Sequence, residues 1–239
     1  MQHKTTGIVL HTTKYNDVSS IVCIYTKDFG RISYMVYGVG KKKSVVRSSF
    51  LLPLTLTELE VNHITGRNIQ QIKEIRILHP FNSIPMNPIK NSLAMFLSEV
   101  LFRSLRQTEP DETLFNFLEN SIQQLDYCHE GVQNFHLVFL QKLTRYLGFE
   151  ANMEVSGNYF DLMNGVFLKD KPMHVHFLMP ENTIQFINLL NTDYSTLNML
   201  ILSRENRTEL LKNLLEYYRL HIPEFHNLHS LAILQSLFD

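Results

Sequence analysis

The chain has 239 residues, of which 44% are hydrophobic and 19% charged, and it contains only 9 glycines and 8 prolines. This composition excludes collagen, low-complexity linkers and a largely disordered chain. The net charge of −1 conceals an asymmetry, because residues 1–80 hold 11 basic and 5 acidic residues whereas residues 81–239 hold 11 and 18. The sequence therefore predicts a basic module that meets an anionic partner, joined to an acidic module. A chance distribution of surface charge is the alternative.

The two cysteines, Cys23 and Cys128, are far apart in the sequence and indicate free thiols in a reducing compartment rather than a disulfide framework. Residues 1–13 lack the apolar segment of a signal peptide. No stretch approaches the roughly 18 apolar residues of a transmembrane helix. We therefore expect a cytoplasmic protein without a membrane partner.

Residues 1–80 show the two-residue period of β-strands, with many β-branched and aromatic side chains. Strands are predicted over residues 8–12, 21–25, 32–37, 53–61 and 68–78. A turn at residues 27–30 joins the second and third strands, where Gly30 is free to take a positive φ. Five strands in so short a segment predict a small closed barrel, and the five-stranded OB-fold is the most economical solution.

Beyond residue 80 the apolar residues recur with a helical period. Residues 79–88 contain three prolines and predict a linker, in which Asn87 caps a helix and Pro88 is its first residue. The other helices are expected after Pro110, over 132–146 with Gly148 as the stop, from about residue 182, after a capping pair formed by Asn206 and Glu209, and over 228–238.

Residues 150–180 lose the helical pattern, which predicts an irregular or hairpin insertion. The predicted fold class is therefore α+β: a five-stranded OB-fold β-barrel followed by an all-α domain with a small irregular or β insertion. The predicted domains are residues 1–80, which bind nucleic acid, and residues 81–239, with the insertion at 150–180.

Residues 38–44 read Gly-Val-Gly-Lys-Lys-Lys-Ser and are followed by Arg47, which places four cations within seven positions after a strand. Solvated lysines in a loop neutralise phosphates without reading bases. Aromatic side chains on the neighbouring strands offer surfaces on which bases can stack. These aromatic residues are Tyr15, Tyr25, Phe29, Tyr34, Tyr37 and Phe50. A solvated loop above aromatic core residues is the alternative.

The candidate DNA-binding residues are therefore Lys41, Lys42, Lys43, Arg47, Tyr37 and Arg31. The lysine segment is not a P-loop, because the first glycine of that motif would fall on Met35 and Lys41 is followed by Lys42. The histidines at 174, 176, 221, 226 and 229 have no cysteines beside them, as a zinc site usually requires. No Gly-x-Ser-x-Gly elbow occurs. We expect no metal, no cofactor and no enzymatic activity.

Four cations near helix ends form a weaker pattern: Arg103, Arg106, Lys142 and Arg145. Beside apolar helix stripes, they are candidates to hold a peptide that ends in acidic residues and a hydrophobic carboxy-terminus. The alternative is that cations at helix C-termini simply complement the helix dipole.

Several segments, spread in order over nearly the whole chain, carry a family resemblance. They are Gly-Ile-Val-Leu at 7–10 with Tyr15, residues 21–26 with Gly30, Gly-Lys-Lys-Lys-Ser at 40–44, Leu-Gly-Phe at 147–149, and His-Ile-Pro-Glu-Phe at 221–225 with Leu228 and Ser230-Leu231. Together with the order of barrel and helices, they resemble the RecO family of bacterial recombination mediators.

The resemblance implies a protein that binds single- and double-stranded DNA, anneals complementary strands and works with RecR, in some pathways also with RecF. It further implies help in loading RecA and contact with the acidic C-terminal tail of single-strand binding protein. In this chain the basic DNA loop of the family corresponds to Lys41, Lys42, Lys43 and Arg47, and the tail would dock on the helical domain. A protein bound to DNA would associate with the nucleoid.

The chain departs from the family pattern in its insertion. Many members carry a four-cysteine zinc module after the Leu-Gly-aromatic segment, whereas residues 150–180 contain no cysteine. We therefore expect an insertion without zinc, held by packing of Val155, Tyr159, Phe160, Leu162, Val166 and Phe167.

Two functions of other classes stay open. One is an adaptor whose barrel binds a protein, and the other is an RNA-binding OB protein of translation. A 2′-hydroxyl reader would distinguish RNA from DNA strands of the same sequence, and an adaptor would bind neither strongly at physiological salt.

Overall fold

The computed structural model describes residues 2–38, 46–106 and 109–237. The chain forms two compact units, Met1–Asp126 and Tyr127–Asp239. The first contains a barrel and two helices, and the second contains the other helices and a small sheet. The domain boundary predicted at residue 80 coincides with the change from strands to helices, and its role as a domain boundary stays a prediction.

Five strands close into a barrel in the first unit. They are β1 (Gln2–Lys14), β2 (Ser19–Thr26), β3 (Gly30–Tyr37), β4 (Leu56–Asn62) and β5 (Ile69–Ile77). In the order β1-β2-β3-β5-β4 the neighbours are antiparallel, apart from β3 and β5, which are parallel, and β4 returns to pair with β1. The predicted five-stranded, OB-like barrel followed by helices is confirmed.

The barrel core follows the predicted alternation of side chains. Val22 and Ile24 on β2 and Tyr34 and Val36 on β3 are buried together, while the residues between them face the outside of the barrel. The predicted turn before β3 is also present, and Gly30 adopts the positive φ, 64°, that glycine takes without a Cβ penalty. Two-residue periodicity therefore predicted which residues fill the barrel.

Helices α1 (Pro88–Ser104) and α2 (Glu112–Tyr127) follow the barrel. Asn87 caps α1 as predicted, because its Oδ1 accepts hydrogen bonds from the backbone N–H groups of Ile89 at 3.0 Å and Lys90 at 3.2 Å. The apolar face of α1 packs on β1, where the Ser98 hydroxyl donates to the carbonyl of Leu10 at 2.6 Å. One outer face of the barrel is thus covered by helix.

In its described part the second unit contains four α-helices, two short 3₁₀-helices and three short strands. The α-helices and strands are α3 (Phe135–Tyr146), β6 (Tyr159–Asp161), β7 (Val166–Leu168), β8 (Phe177–Leu178), α4 (Pro180–Leu190), α5 (Arg204–His221) and α6 (Ser230–Leu237). Of the helices in the described residues, none has the length and apolar character needed to cross a membrane.

The insertion at 150–180 is a small sheet in the order β7-β6-β8. Phe160 is its centre: the side chain is fully buried, and its ring centroid lies 4.8 Å from Phe167 and 4.6 Å from Phe186 of α4. Leu162 is also buried. Val155 was expected in this core but is 57% exposed, because it lies in an irregular segment before the first strand of the sheet.

Two other local predictions are wrong. Strand β4 begins at Leu56 instead of residue 53, because Leu54 adopts a left-handed backbone with φ 59° that interrupts extended geometry. Helix α5 is capped by Ser203, whose hydroxyl accepts the N–H of Asn206 at 3.2 Å. Asn206 is therefore the third residue of the helix and not its cap.

Candidate nucleic-acid interface

One end of the barrel combines the β1–β2 turn with the end of β3. The side-chain oxygen of Asn16 accepts the N–H of Val18 at 2.9 Å and the hydroxyl of Ser19 at 2.8 Å, which closes the turn. The N–H of Gly38 then donates to the carbonyl of Val18 at 2.6 Å, and Ser19 pairs with Tyr37. We call this region, with Tyr15, Tyr37 and Arg47, the loop end of the barrel.

Two of the six candidate aromatic residues are well exposed, and both lie at the loop end. Tyr15 is 64% and Tyr37 62% exposed. Tyr34 points into the barrel core, and Tyr25 lies on the outer face of β2 but is covered by α2, where its ring stacks on Phe115 at 6.2 Å. Phe29 and Phe50 are partly buried against the core. The tertiary structure thus reduces the stacking candidates to two tyrosines.

The lysine segment begins at this same end. Lys41, Lys42 and Lys43 lie outside the described residues, and the described chain resumes at Val46, which is buried in the barrel core. Arg47 is exposed at the start of a short 3₁₀-helix, Ser48–Leu51, whose Leu51 carbonyl accepts a hydrogen bond from Thr12 of β1 at 3.2 Å. Arg47 is therefore held on a fixed element at the edge of the lysine segment.

Arg31 is engaged within the first unit. Its Nη1 donates to the carbonyls of Phe102 at 3.0 Å and Leu105 at 2.9 Å, which belong to the last turn and C-cap of α1, and its Nε donates to Cys23 Sγ at 3.2 Å. The guanidinium also lies over the Phe102 ring, 4.4 Å from its centroid. These bonds satisfy helix carbonyls that have no partner inside the helix. Arg31 thus has a structural role, and its contact with DNA stays a prediction.

The four cations named for peptide docking belong to both units. In the first, Arg103 lies 4.0 Å from Glu99 on the same helix, and Arg106 is exposed just after α1. In the second, Lys142 pairs with Asp193 at 3.5 Å and Arg145 with Glu150 at 3.9 Å. Arg103, Lys142 and Arg145 therefore each have a carboxylate of their own unit within 4 Å.

A cavity of about 240 Å³ in the second unit combines cations with apolar side chains. Arg204 and Arg207 from the first turn of α5 line it together with Leu211 and with Leu234 of α6. His136 of α3 forms its inner wall; burial and the nearby Arg207 charge lower the pKa of His136 to about 3, so this ring is neutral at physiological pH. We call this cavity the α5 pocket.

Sequence reasoning missed the α5 pocket although a signal was present. Arg204 and Arg207 are three residues apart and lie on one face of a helix. They occupy the N-terminal turn, where the helix dipole disfavours positive charge, so the dipole gives no reason for their presence. Arg207 is held by hydrogen bonds to Asn134 Oδ1 at 3.0 Å and to the Leu202 carbonyl at 3.2 Å.

Two histidines of the insertion contact carboxylates, and the last residue of α5, His221, contacts the insertion backbone. His174 lies 3.3 Å from Asp161, His176 lies 3.2 Å from Glu216, and His221 contacts the carbonyl of Leu162 at 2.9 Å. Within residues 2–38, 46–106 and 109–237, no three His, Cys, Asp or Glu side chains are grouped so as to hold a metal ion. The described part of the insertion is thus held by packing and by contacts between histidines and carboxylates.

The comparisons with known proteins cover the whole chain. The family model 'Recombination protein O N terminal' matches residues 1–81, and the family model 'Recombination protein O C terminal' matches residues 86–159. The chain is 42% identical over 241 residues to the DNA repair protein RecO of Phocaeicola vulgatus, and 40% identical over 242 residues to that of Bacteroides fragilis, with 100% of each chain covered. The RecO of Flavobacterium psychrophilum is 34% identical, again over 100% of both chains.

These matches agree with the barrel and helices described above and with the resemblance that the sequence segments indicate. The chain therefore belongs to the RecO family, and its role lies in DNA repair.

Proposed function

We propose that this protein is a DNA-binding recombination mediator without enzymatic activity. It binds single- and double-stranded DNA, anneals complementary strands, and helps to load RecA together with RecR, in some pathways also with RecF. It acts in the cytoplasm at the nucleoid. No metal or cofactor takes part, and the proposed DNA contacts are Lys41, Lys42, Lys43, Arg47 and Tyr37.

The observation that carries this proposal is the pair of exposed tyrosines at the loop end, together with Arg47 and with the three lysines that follow Tyr37 closely in the sequence. Stacking on an aromatic ring tolerates any base, and lysines neutralise phosphates of any sequence. The loop end therefore suits a single strand of arbitrary sequence, which a general repair protein must accept.

Annealing follows from the same electrostatics. Two complementary strands repel each other through their phosphates, and neutralising both backbones lowers that repulsion. Base pairing then supplies the driving force, so the protein needs no catalytic group. The mechanism requires only that bound strands keep their pairing edges accessible, as they do when contacts are made to phosphates and to base faces.

The test is fluorescence anisotropy with a labelled single-stranded oligonucleotide over a series of salt concentrations. Replacing Lys41, Lys42 and Lys43 together by alanine should weaken binding to all sequences alike and flatten the salt slope by about 2 units, the share of three phosphate contacts. The matched control replaces the exposed Lys169, Lys171 and Lys212 of the second unit, which removes the same charge. An unchanged slope in the first variant would refute the assignment of the lysine segment.

The two alternative functions give different results in the same assay. An adaptor would bind oligonucleotides weakly at physiological salt and would keep its protein partner after the lysine change. An RNA-binding protein would prefer RNA over DNA of the same sequence in competition. Equal binding of the RNA and the DNA strand, together with a steep salt dependence, would support the proposal.

We also propose that the second unit docks the acidic C-terminal tail of single-strand binding protein in the α5 pocket. Two guanidinium groups, Arg204 and Arg207, suit acidic side chains and a terminal carboxylate, and Leu211 and Leu234 offer an apolar floor. Met199 and Ile201, just before α5, are 74% and 91% exposed and add apolar surface near the helix start. The earlier docking candidates Arg103, Arg106, Lys142 and Arg145 stay a prediction.

A labelled peptide with acidic residues and a C-terminal phenylalanine tests this docking site. Arg204→Ala should weaken its binding about tenfold, whereas Arg219→Ala, at the exposed C-terminal turn of the same helix, should leave it unchanged. Amidation of the peptide's carboxylate should weaken binding to the wild type only if the terminus enters the pocket. If both variants bind the peptide as tightly as the wild type, the α5 pocket is not the docking site. The four cations Arg103, Arg106, Lys142 and Arg145 would then be replaced in turn.

A further inference from the structure

A groove of about 570 Å³ opens on the barrel at the end of β3 opposite to the loop end. It is lined by the β2–β3 turn, the first half of β3, the β4–β5 turn and the segment after α1. Three arginines, Arg31, Arg67 and Arg106, contribute to its described lining, against one carboxylate, Asp28. We call this the arginine groove, and its charge favours an anionic occupant.

The β4–β5 turn that carries Arg67 is built as a rigid wall. The buried side chain of Gln70 accepts the N–H of Ile64 at 3.0 Å and donates to the carbonyls of Ile64 at 2.8 Å and Arg67 at 2.9 Å. Gly66 takes the positive φ, 81°, that the turn requires. The exposed Arg67 side chain therefore extends from a preorganised backbone, which lowers the entropy lost on binding.

An aromatic pair forms another wall of the groove. Phe29 and His63 stack with centroids 4.2 Å apart and rings inclined by 10°. Burial and the nearby His3 lower the pKa of His63, so the pair adds an uncharged surface and the arginines supply the charge. Proteins that bind single-stranded nucleic acids combine aromatic side chains, on which bases stack, with cations that contact the phosphates.

The outer face of β3 connects the arginine groove to the loop end. Arg31, Ser33, Met35 and Tyr37 lie on this face because strand side chains alternate, and β3 contains no acidic residue. Ser33 and Met35 are partly exposed. Tyr37 follows Arg31 by six positions, which is about 20 Å at 3.3 Å per residue. A DNA strand with the 3.4 Å rise of stacked bases covers this length with about six nucleotides.

We propose that the arginine groove holds phosphates of the same DNA strand whose bases stack on Tyr15 and Tyr37, so that one strand runs along β3. The inference rests on the DNA-binding function proposed above and deepens it, because it gives the barrel a second anchor and a minimum strand length. A span of about six nucleotides lies within the range of about 4–16 nucleotides that one OB-fold covers.

The test measures the affinity of thymidine oligonucleotides of about 4, 8 and 16 nucleotides by fluorescence anisotropy. Wild type should bind the 8-mer much more tightly than the 4-mer, since only the longer strand reaches both anchors. Arg67→Ala should lose that gain, bind the long strands about fivefold more weakly, and lower their salt slope by about 0.7. Binding of the 4-mer at the loop end should not change.

The matched control is Arg76→Ala, which removes an exposed arginine of β5 that pairs with Glu74 at 2.7 Å and does not line the groove. If Arg67→Ala and Arg76→Ala bind every length like wild type, the groove is not on the strand's path and the inference is overturned. Equal weakening at all lengths also overturns it, because the groove would then be the primary contact. If wild type binds no oligonucleotide, the proposed function fails instead.

Discussion

At the residue scale, one carboxylate organises the linker between barrel and helices. The side chain of Asp126 at the end of α2 accepts the backbone N–H groups of Ser83 and Ile84, each at 2.8 Å, and of Asn82 at 3.1 Å. The buried Lys90 donates to the Asp126 carbonyl at 2.7 Å. Burial opposes ionisation of Asp126, but the hydrogen bonds from the linker outweigh it and lower its pKa below the usual value.

We expect Asp126→Asn to lower the free energy of unfolding by about 2 kcal/mol at pH 7, because an amide replaces one acceptor oxygen by a donor that faces backbone N–H groups. Urea unfolding measures this. Asp17→Asn is the control, since Asp17 is an exposed partner of Lys14 and its loss should cost little.

The lowered pKa of Asp126 also predicts how the stability difference between wild type and Asp126→Asn depends on pH. A carboxyl whose pKa is lower in the folded state stabilises the fold above its unfolded pKa, and that contribution is lost as the pH falls through the folded pKa. The difference in unfolding free energy between wild type and Asp126→Asn should therefore be constant above about pH 5 and shrink below about pH 4. A difference that stays constant down to about pH 2 would show that Asp126 is not the ionised acceptor.

At the scale of elements, the insertion shows how a segment without cysteines is held. Phe160 on β6 contacts Phe167 on β7, Phe186 on α4 and Tyr217 on α5, the last at a centroid distance of 5.6 Å. The Tyr217 hydroxyl donates to the carbonyl of Phe149 at 2.6 Å, which fixes the chain that enters the insertion. Aromatic packing thus connects the small sheet to two helices.

Phe160→Ala should lower the free energy of unfolding by about 3–5 kcal/mol, because it removes a fully buried ring and leaves a cavity. Val155→Ala is the control and should have little effect, since Val155 is exposed. Thermal unfolding with and without a chelator completes the test: we expect the same midpoint in both. A midpoint lowered by the chelator would mean that a metal stabilises this region.

At the scale of the whole molecule, the charge asymmetry should determine where DNA binds. The 11 basic and 5 acidic residues of the first 80 attract phosphates, and the 18 acidic residues beyond position 80 do not. We therefore expect protein partners to bind the acidic half, at sites where cations are gathered locally, such as the α5 pocket.

We expect the full chain to accelerate annealing of two complementary oligonucleotides labelled with a fluorescent donor and an acceptor. The acceleration should fall steeply between about 50 and 200 mM salt, and the triple lysine variant should lose most of it. Strands without complementarity are the control and should give no transfer signal. A rate that is unaffected by the protein would contradict the annealing mechanism while leaving DNA binding intact.

Much of the fold could be predicted because periodicity is a local property. Val22 and Ile24 alternate with outward residues over a few positions, and Asn87 precedes Pro88 directly, so neighbouring residues alone indicated the strands and the start of α1. The start of β4 was predicted wrongly because it depends on a single backbone angle, at Leu54. The start of α5 was predicted wrongly because two polar residues, Ser203 and Asn206, both suit a helix cap.

The sequence by itself determined the barrel, the helical part, the family and the basic segment, since each depends on residues close together in the chain. The tertiary structure decided which aromatic rings are exposed: α2 covers Tyr25, while Tyr15 and Tyr37 stay open. It also joined Arg31 to the end of α1 and brought Arg204 and Arg207 to Leu234. Which side chains are exposed, and which ones together form a site, depends on contacts between residues that are far apart in the sequence. The periodicity of neighbouring residues carries no information about such contacts.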